Sequence, residues 1–169
     1  DKWVLSKLNT LVKEVTENMD AYELGVASAK IYDFIWDTYC DWYIELTKAR
    51  MQNPESAESA QNVLCYVLIQ LLKLLHPFMP FITEEVYQAL PHILGEESEF
   101  LMLCDWPVYD EKFVFTSEEA EMETIMDAIR AIRTRRAEMN VAPGRKVQLT
   151  IATAQQETFR AGAAFFQRL

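Results

Sequence analysis

The chain has 169 residues, half of them hydrophobic, with only four glycines and a formal net charge of −10. That length holds one substantial core, or one domain with part of another, and so few glycines suit a largely helical globular protein. The charge argues against nonspecific nucleic-acid binding, and no stretch reaches the ~20 uninterrupted apolar residues that cross a bilayer. Asp1 opens the chain with neither an initiator Met nor a charged-then-apolar leader, so it reads as a piece of a longer, cytoplasmic protein. Cys40, Cys65 and Cys104 are odd in number and lie far apart in apolar surroundings. They read as buried reduced thiols, not as a zinc site.

Between Lys2 and about Asn18, Trp3, Val4, Leu8, Leu11, Val12 and Val15 recur at helical spacing and predict an amphipathic first helix. Asp20 is the expected N-cap of a long second helix reaching about Arg50. Gly25 costs that helix about 1 kcal/mol relative to Ala, which a close helix crossing would explain. Tyr32 to Lys48 is the densest stretch, with six aromatics and four acids. Asp33, Asp37, Asp41 and Glu45 recur every fourth residue and form one wettable stripe. Phe34, Ile35, Thr38, Trp42 and Leu46 make one apolar seam, and Tyr32, Trp36, Tyr39 and Tyr43 a second. A helix apolar on so much of its girth is expected at the centre of a bundle.

Asn53 is placed to cap a third helix, with Pro54 at its first position, where no hydrogen bond is lost. Its second half, from Val63 to Leu75, is core-like, and His76-Pro77 ends it. Pro80 starts a short helix over Phe81 to Leu90, closed by Pro91. His76 at a helix C-terminus and His92 in a loop read as structural, and neither belongs to an E-x-x-H pair of a di-metal bundle. From Pro91 to about Thr116 the chain is irregular, with an acidic tip at Glu96, Glu97 and Glu99. Trp106-Pro107 is expected to pack back on the bundle.

Thr116 with Glu119 forms a capping box for a helix to about Asn140. Its acids come first and its arginines last, an order that complements the helix dipole without any further role. Residues 1–110 carry 7 basic and 18 acidic side chains, whereas residues 128–146 carry Arg130, Arg133, Arg135, Arg136, Arg145 and Lys146 against one acid, Glu138. An anion would bind at that patch. Arg133 and Arg136 fall inside the apolar arc of the helix, so each needs a counter-charge, either a carboxylate of the bundle or a phosphate. Arg130, Arg135, Arg145 and Lys146 are phosphate candidates, with Lys48 and Arg50 as weaker ones. After Pro143-Gly144, Val147, Leu149 and Ile151 alternate with polar residues as in a β-strand, and Gln155 to Leu169 reads as a helix. One strand cannot satisfy itself, so its partners are expected to be missing or supplied in trans. The expected organisation is a helical bundle over 1–110 and an incomplete helix–strand–helix appendage over 111–169.

No Gly-rich phosphate loop, G-x-S-x-G elbow or zinc motif is present, so no catalytic residue and no metal site is assigned. Four stretches nonetheless carry a resemblance. They are Tyr32-Asp33-Phe34-Ile35-Trp36-Asp37 with Cys40-Asp41-Trp42-Tyr43-Ile44-Glu45, then L-L-H-P-F-M-P-F-I-T-E-E from Leu74 to Glu85. Asp105-Trp106-Pro107 follows, and last I-R-x-I-R-x-x-R-A-E-M-N-V-x-P from Ile129 to Pro143. In this order, over nearly the whole chain, they resemble the anticodon-binding domain of the valyl-tRNA synthetases, class I enzymes. The resemblance implies a mainly α fold, the anticodon-binding helical bundle of class I synthetases, with a small truncated α/β appendage at the C-terminus. It implies a parent valine-tRNA ligase using ATP and magnesium, a tRNA(Val) anticodon stem-loop as partner, the catalytic domain of the same chain as neighbour, and a monomer. The H-I-G-H and K-M-S-K-S signatures, the editing insertion, the preceding R-N-F-type helix and the C-terminal coiled coil are absent from these residues. A non-catalytic fragment is expected, either binding the stem-loop or serving as a scaffold whose arginines pair internally.

Overall fold

In the computed structural model, residues 1–91, 98–142 and 144–166 are described. They divide into two compact units, Asp1–Phe115 and Thr116–Leu169. The mainly α expectation holds.

The first unit is built on helix α1, Lys2–Asp20, whose Trp3, Val4, Leu8, Leu11, Val12 and Val15 are all buried. The chain then reverses through a three-residue turn. Tyr22 takes a left-handed φ of 59°, the Tyr22 amide donates to the Met19 carbonyl at 3.0 Å, and the Glu23 amide donates to the Asn18 carbonyl at 2.8 Å. This pair of bonds is a Schellman stop, which satisfies the last carbonyls of α1. Asp20 therefore ends α1 and does not cap the next helix. A Cβ added at Gly25 would meet nothing within 4 Å, so no close crossing accounts for that glycine.

Helix α2, Leu24–Asp33, runs into a π-helical stretch, Phe34–Ile44, and on into α3, Glu45–Met51. The wider turn changes which residues face inward. Phe34, Tyr39, Tyr43 and Thr47 are buried, at spacings of 5, 4 and 4, as i→i+5 bonding requires. The second predicted seam is thereby split. Tyr39 and Tyr43 go inside, while Tyr32 and Trp36 stay 63% and 51% exposed, their rings 6.2 Å apart. The Tyr39 hydroxyl donates to the Leu64 carbonyl at 3.0 Å and the Tyr43 hydroxyl to Asp1 Oδ1 at 2.7 Å. Burial pushes both phenols up, so both remain donors throughout the physiological range. Asp33, Asp37, Asp41 and Glu45 form an exposed outer stripe. The helix is thus covered on one side, against α1 and the next helix, and not wrapped all round.

That helix, α4, spans Pro54–Leu75 and is capped by Asn53, whose side chain accepts from the Glu55 amide at 3.1 Å. Helix α5, Pro80–Ala89, follows; its buried Thr83 meets His76 Nδ1 at 2.7 Å, which ties the end of α4 to the first turn of α5. His92 and the acids Glu96 and Glu97 lie outside the described residues. Ile69, Leu72, Tyr87 and Leu101 form a second small core. It is held by Glu84, which accepts from the Leu101 amide at 3.0 Å, and by the Tyr87 hydroxyl, which donates to the Ser98 carbonyl at 2.8 Å.

The segment from Trp106 to Phe115 runs back along α1 as a polar strap. Trp106 Nε1 donates to Thr16 Oγ1 at 2.9 Å. The Asn9 amide group exchanges two bonds of 2.9 Å with the backbone of Asp110, and Ser6 Oγ accepts from the Phe115 amide at 2.9 Å. Lys13 lies over the Tyr109 ring and Lys2 over that of Phe115, at 5.4 and 5.3 Å from their centroids. Buried Ser6 and Asn9 thus do for an irregular segment what a neighbouring strand does in a sheet.

The second unit contains α6, Thr116–Glu138, then α7, Gln156–Ala161, and α8, Ala163–Phe166. Ile125, Met126 and Ile129 are the buried residues of α6. A Cβ at Gly162 would stand 2.7 Å from Ile125 Cδ1, so any other residue at the α7–α8 corner would require the Ile125 side chain to shift. The predicted strand is not formed: among the described residues 145–152 have no strand pairing and are exposed, although Val147, Leu149 and Ile151 line one cavity together. The α/β character expected of this part is corrected accordingly, since a lone extended run has no ladder to join.

Candidate functional site

The basic run sits at the C-terminal end of α6 and in the turn beyond it. The helix stops as α1 does. Asn140 takes φ 52°, its amide donates to the Ala137 carbonyl at 3.0 Å, and the Val141 amide donates to the Arg136 carbonyl at 2.9 Å. Asparagine tolerates this conformation better than most side chains. The chain therefore doubles back, and Arg136 holds it there. One terminal nitrogen of its guanidinium donates to the Ala142 carbonyl at 3.1 Å and to the Arg145 carbonyl at 2.9 Å.

The candidate residues separate on this geometry. Arg130 pairs with Asp127 at 2.7 Å and Glu123 at 3.3 Å, and those carboxylates hold its pKa up against desolvation. Arg135 pairs with Glu138 at 3.0 Å. Arg145 and Lys146 are exposed on the turn, with no carboxylate partner among the described residues. Arg133 is exposed, outside the apolar stripe that the sequence assigns it to, and the partners seen for Arg136 are backbone carbonyls. The apolar arc is narrower than its residue types indicate, because the buried part of α6 stops at Ile129. Arg135, Arg136 and Lys146 line one cavity.

In the first unit, Lys48 pairs with Glu45 one turn earlier, and Arg50 reaches Asp1 Oδ1 at 2.5 Å. Burial, then the nearby Arg50 and Lys2, lower the pKa of the Asp1 amino group, so Arg50 stands among cations of the first unit. Cys40, Cys65 and Cys104 form no disulfide and are half-buried, less enclosed than their neighbours suggest. Among the described residues no three His, Cys, Asp or Glu side chains converge as metal ligands would. No helix of the described residues is long and apolar enough to cross a membrane.

Two features escaped the reading of the sequence. The clamp of Arg136 on two carbonyls has no signature in residue spacing, although Asn140 just past a helical pattern marks where the chain turns. The exposed Tyr32–Trp36 pair was hidden because a regular α-helix would put it on the same face as Tyr39 and Tyr43.

Comparison with known proteins supports the architecture. Residues 1–151 match the family model described as the anticodon-binding domain of tRNA ligase. The chain is 45% identical over 173 residues to the valine–tRNA ligase of Clostridium acetobutylicum, and 46% identical over 173 residues to that of Clostridium perfringens. Each match covers 100% of the chain and 19% of the relative. It is 44% identical to the Bacillus cereus enzyme over 153 residues, 89% of the chain and 17% of the relative. The chain thus spans about a fifth of the length of these relatives, and over its matched residues it belongs to the anticodon-binding domain family of tRNA ligases.

Proposed function

We propose that the chain is the anticodon stem-loop binding module of a valine–tRNA ligase and presents tRNA(Val) to a catalytic domain in the same polypeptide. The observation that carries the reading is the Arg136 clamp. It fastens the turn bearing Arg145 and Lys146 to the end of α6, beside Arg135. Cations gathered at one edge of an acidic chain suit a partner whose phosphates can be met locally while the acidic body repels wrong registers. An anticodon loop also offers unstacked bases, which a paired stem does not. Arg135, Arg145 and Lys146 contact phosphate in this reading, with Arg130 released from its carboxylates to join them and Lys48 and Arg50 peripheral. Docking there is a positioning effect, because it fixes where the acceptor end of the RNA can reach.

ATP and magnesium are what a ligase of this kind uses, in a cytoplasmic, monomeric enzyme. The residues present do not fit either group: there is no phosphate loop in the sequence, and no ligand cluster among the described residues.

The test is a salt titration of affinity for a valine tRNA anticodon stem-loop beside one with a scrambled loop. Preferential binding is expected, with log K falling by about 0.7–0.9 per phosphate contact for each tenfold rise in salt. Replacing Arg130, Arg135, Arg145 and Lys146 by alanine is expected to flatten that slope. An unchanged affinity and slope would overturn the assignment.

The competing reading, a scaffold with internally paired arginines, is favoured by the Arg130–Asp127–Glu123 cluster. It expects Arg130→Ala to lower stability more than it lowers RNA affinity. Exposed pairs of this kind contribute little, which weighs against it.

A further inference from the structure

In the first unit, α1, α4 and the strap bound a small cavity of ≈ 60 Å³. Leu8, Val12 and Pro107 give it apolar walls, and Asn9, Tyr66 and Gln70 bring polar side chains to it. Tyr66 and Gln70 stand four apart on α4 and so share one face of that helix. Both are half-buried, and among the described residues neither side chain has a hydrogen bond to a protein group. Asn9 uses one N–H and one lone pair on Asp110, which leaves one of each.

We propose that this cavity is a binding site for ordered water, which bridges Tyr66 and Gln70 of α4 to Asn9 of α1 and through it to the strap. At roughly 30 Å³ for each molecule the volume suits about two waters, and it falls far below the ~300 Å³ at which organic ligand sites begin. A cavity holds water when each molecule finds two to four polar partners, whereas one lined by aliphatic side chains alone stays dry. The three side chains offer donors and acceptors together, as a bridging water requires. Burial, then the charge of Asp110, push the Tyr66 phenol up, so it stays a donor throughout the physiological range. The hydrogen bonds described above for the strap reach α1, at Ser6, Asn9 and Thr16. Water in this cavity adds α4 to that joint and makes it three-sided. Such a bridge is nearly as good in enthalpy as a direct bond, while leaving Tyr66 and Gln70 unmet would cost the desolvation of both groups. The inference stands apart from the RNA-binding reading and does not depend on it.

Nuclear Overhauser contacts between water and the methyls of Leu8 and Val12 would be measured in the 169-residue chain, as wild type, as Tyr66→Phe and as Tyr66→Phe with Gln70→Leu. Wild type is expected to show contacts whose sign marks bound and not bulk water. The double variant keeps the ring and the side-chain bulk on α4 while removing both polar groups, and it should lose those contacts. Protection of the Asp110 amide against exchange should fall by roughly tenfold in it, the scale of one hydrogen bond, with protection in the middle of α1 kept. Tyr66→Phe alone is the milder change and should lower Asp110 protection in the same direction. Wild-type methyls that show no bound water, or that shift under xenon as the lining of a dry cavity does, overturn the site. Water contacts that survive in the double variant, or Asp110 protection unchanged in both variants, overturn the bridge.

Discussion

Tyr22 holds a left-handed backbone at the stop of α1, 90% exposed, at a position where glycine is the usual residue. A side chain in that conformation costs about 1–2 kcal/mol, partly offset because glycine loses more freedom on folding. Tyr22→Gly is therefore expected to stabilise the chain by about 0.5–1 kcal/mol, seen as a rise of a few degrees in thermal melting. Gly25 has the opposite problem, a glycine inside a helix with open space at its Cβ. Gly25→Ala should stabilise by up to about 1 kcal/mol, and a loss of stability on denaturant titration would show that the space is needed. Asn9 is the residue whose removal should hurt most for its size. Asn9→Ala strips the Asp110 amide and carbonyl of their partners, at a cost of about 2 kcal/mol, whereas Asn9→Asp keeps the acceptor and should lose less. Equal losses from the two would mean that the strap depends on packing and not on those bonds.

At the scale of elements, the join between α5 and the 98–103 segment should respond to pH through Glu84. Glu84 is held below its ordinary range, first by its hydrogen bond from Gln88 and then by the Leu101 and Met102 amides, with desolvation opposing. A depressed carboxyl contributes stability that is complete above its unfolded value, near 4.5, and lost as pH falls through the folded one. Protection of the Leu101 amide, measured against its intrinsic exchange rate at each pH, should fall below about pH 4.5, and Glu84→Gln should remove the dependence. A profile identical in the variant would place the titrating group elsewhere. The elements themselves were largely legible. Pro54 after Asn53 and Pro80 after His76-Pro77 mark helix ends by local chemistry, and the helices begin where those residues say. The π-helical stretch was not legible, because its wider turn is a tertiary choice that buries Tyr39 and Tyr43 and no local residue dictates it. The strand at Val147–Ile151 failed for the converse reason: its period is right, but pairing is a property of two segments. In the candidate site, charge clustering pointed to the right turn, while the clamp that shapes it depends on where one guanidinium reaches.

Across the whole molecule, burial is unequal. Among the described residues the first unit buries nineteen hydrophobic side chains and the second buries Ile125, Met126 and Ile129. Stability follows apolar area removed from water, so the second unit should open at a lower free energy than the first. Charge divides along the same line. Residues 1–115 carry 8 basic and 19 acidic side chains, and residues 116–169 carry 8 and 7, so the net of −11 and that of +1 sum to −10. The cations proposed to meet RNA therefore stand on the less stable unit, where a bound anion adds stability in proportion to its occupancy. Two core substitutions separate the units. Ile129→Ala should cost about 2–5 kcal/mol in the second unit and leave exchange protection in α1 unchanged, while Leu71→Ala should cost a similar amount in the first. Adding a tRNA stem-loop is then expected to slow exchange in α6 of the wild type more than in α1. Uniform loss of protection in both units from Ile129→Ala would show that they fold as one cooperative body, and the stem-loop would then stabilise α1 and α6 alike.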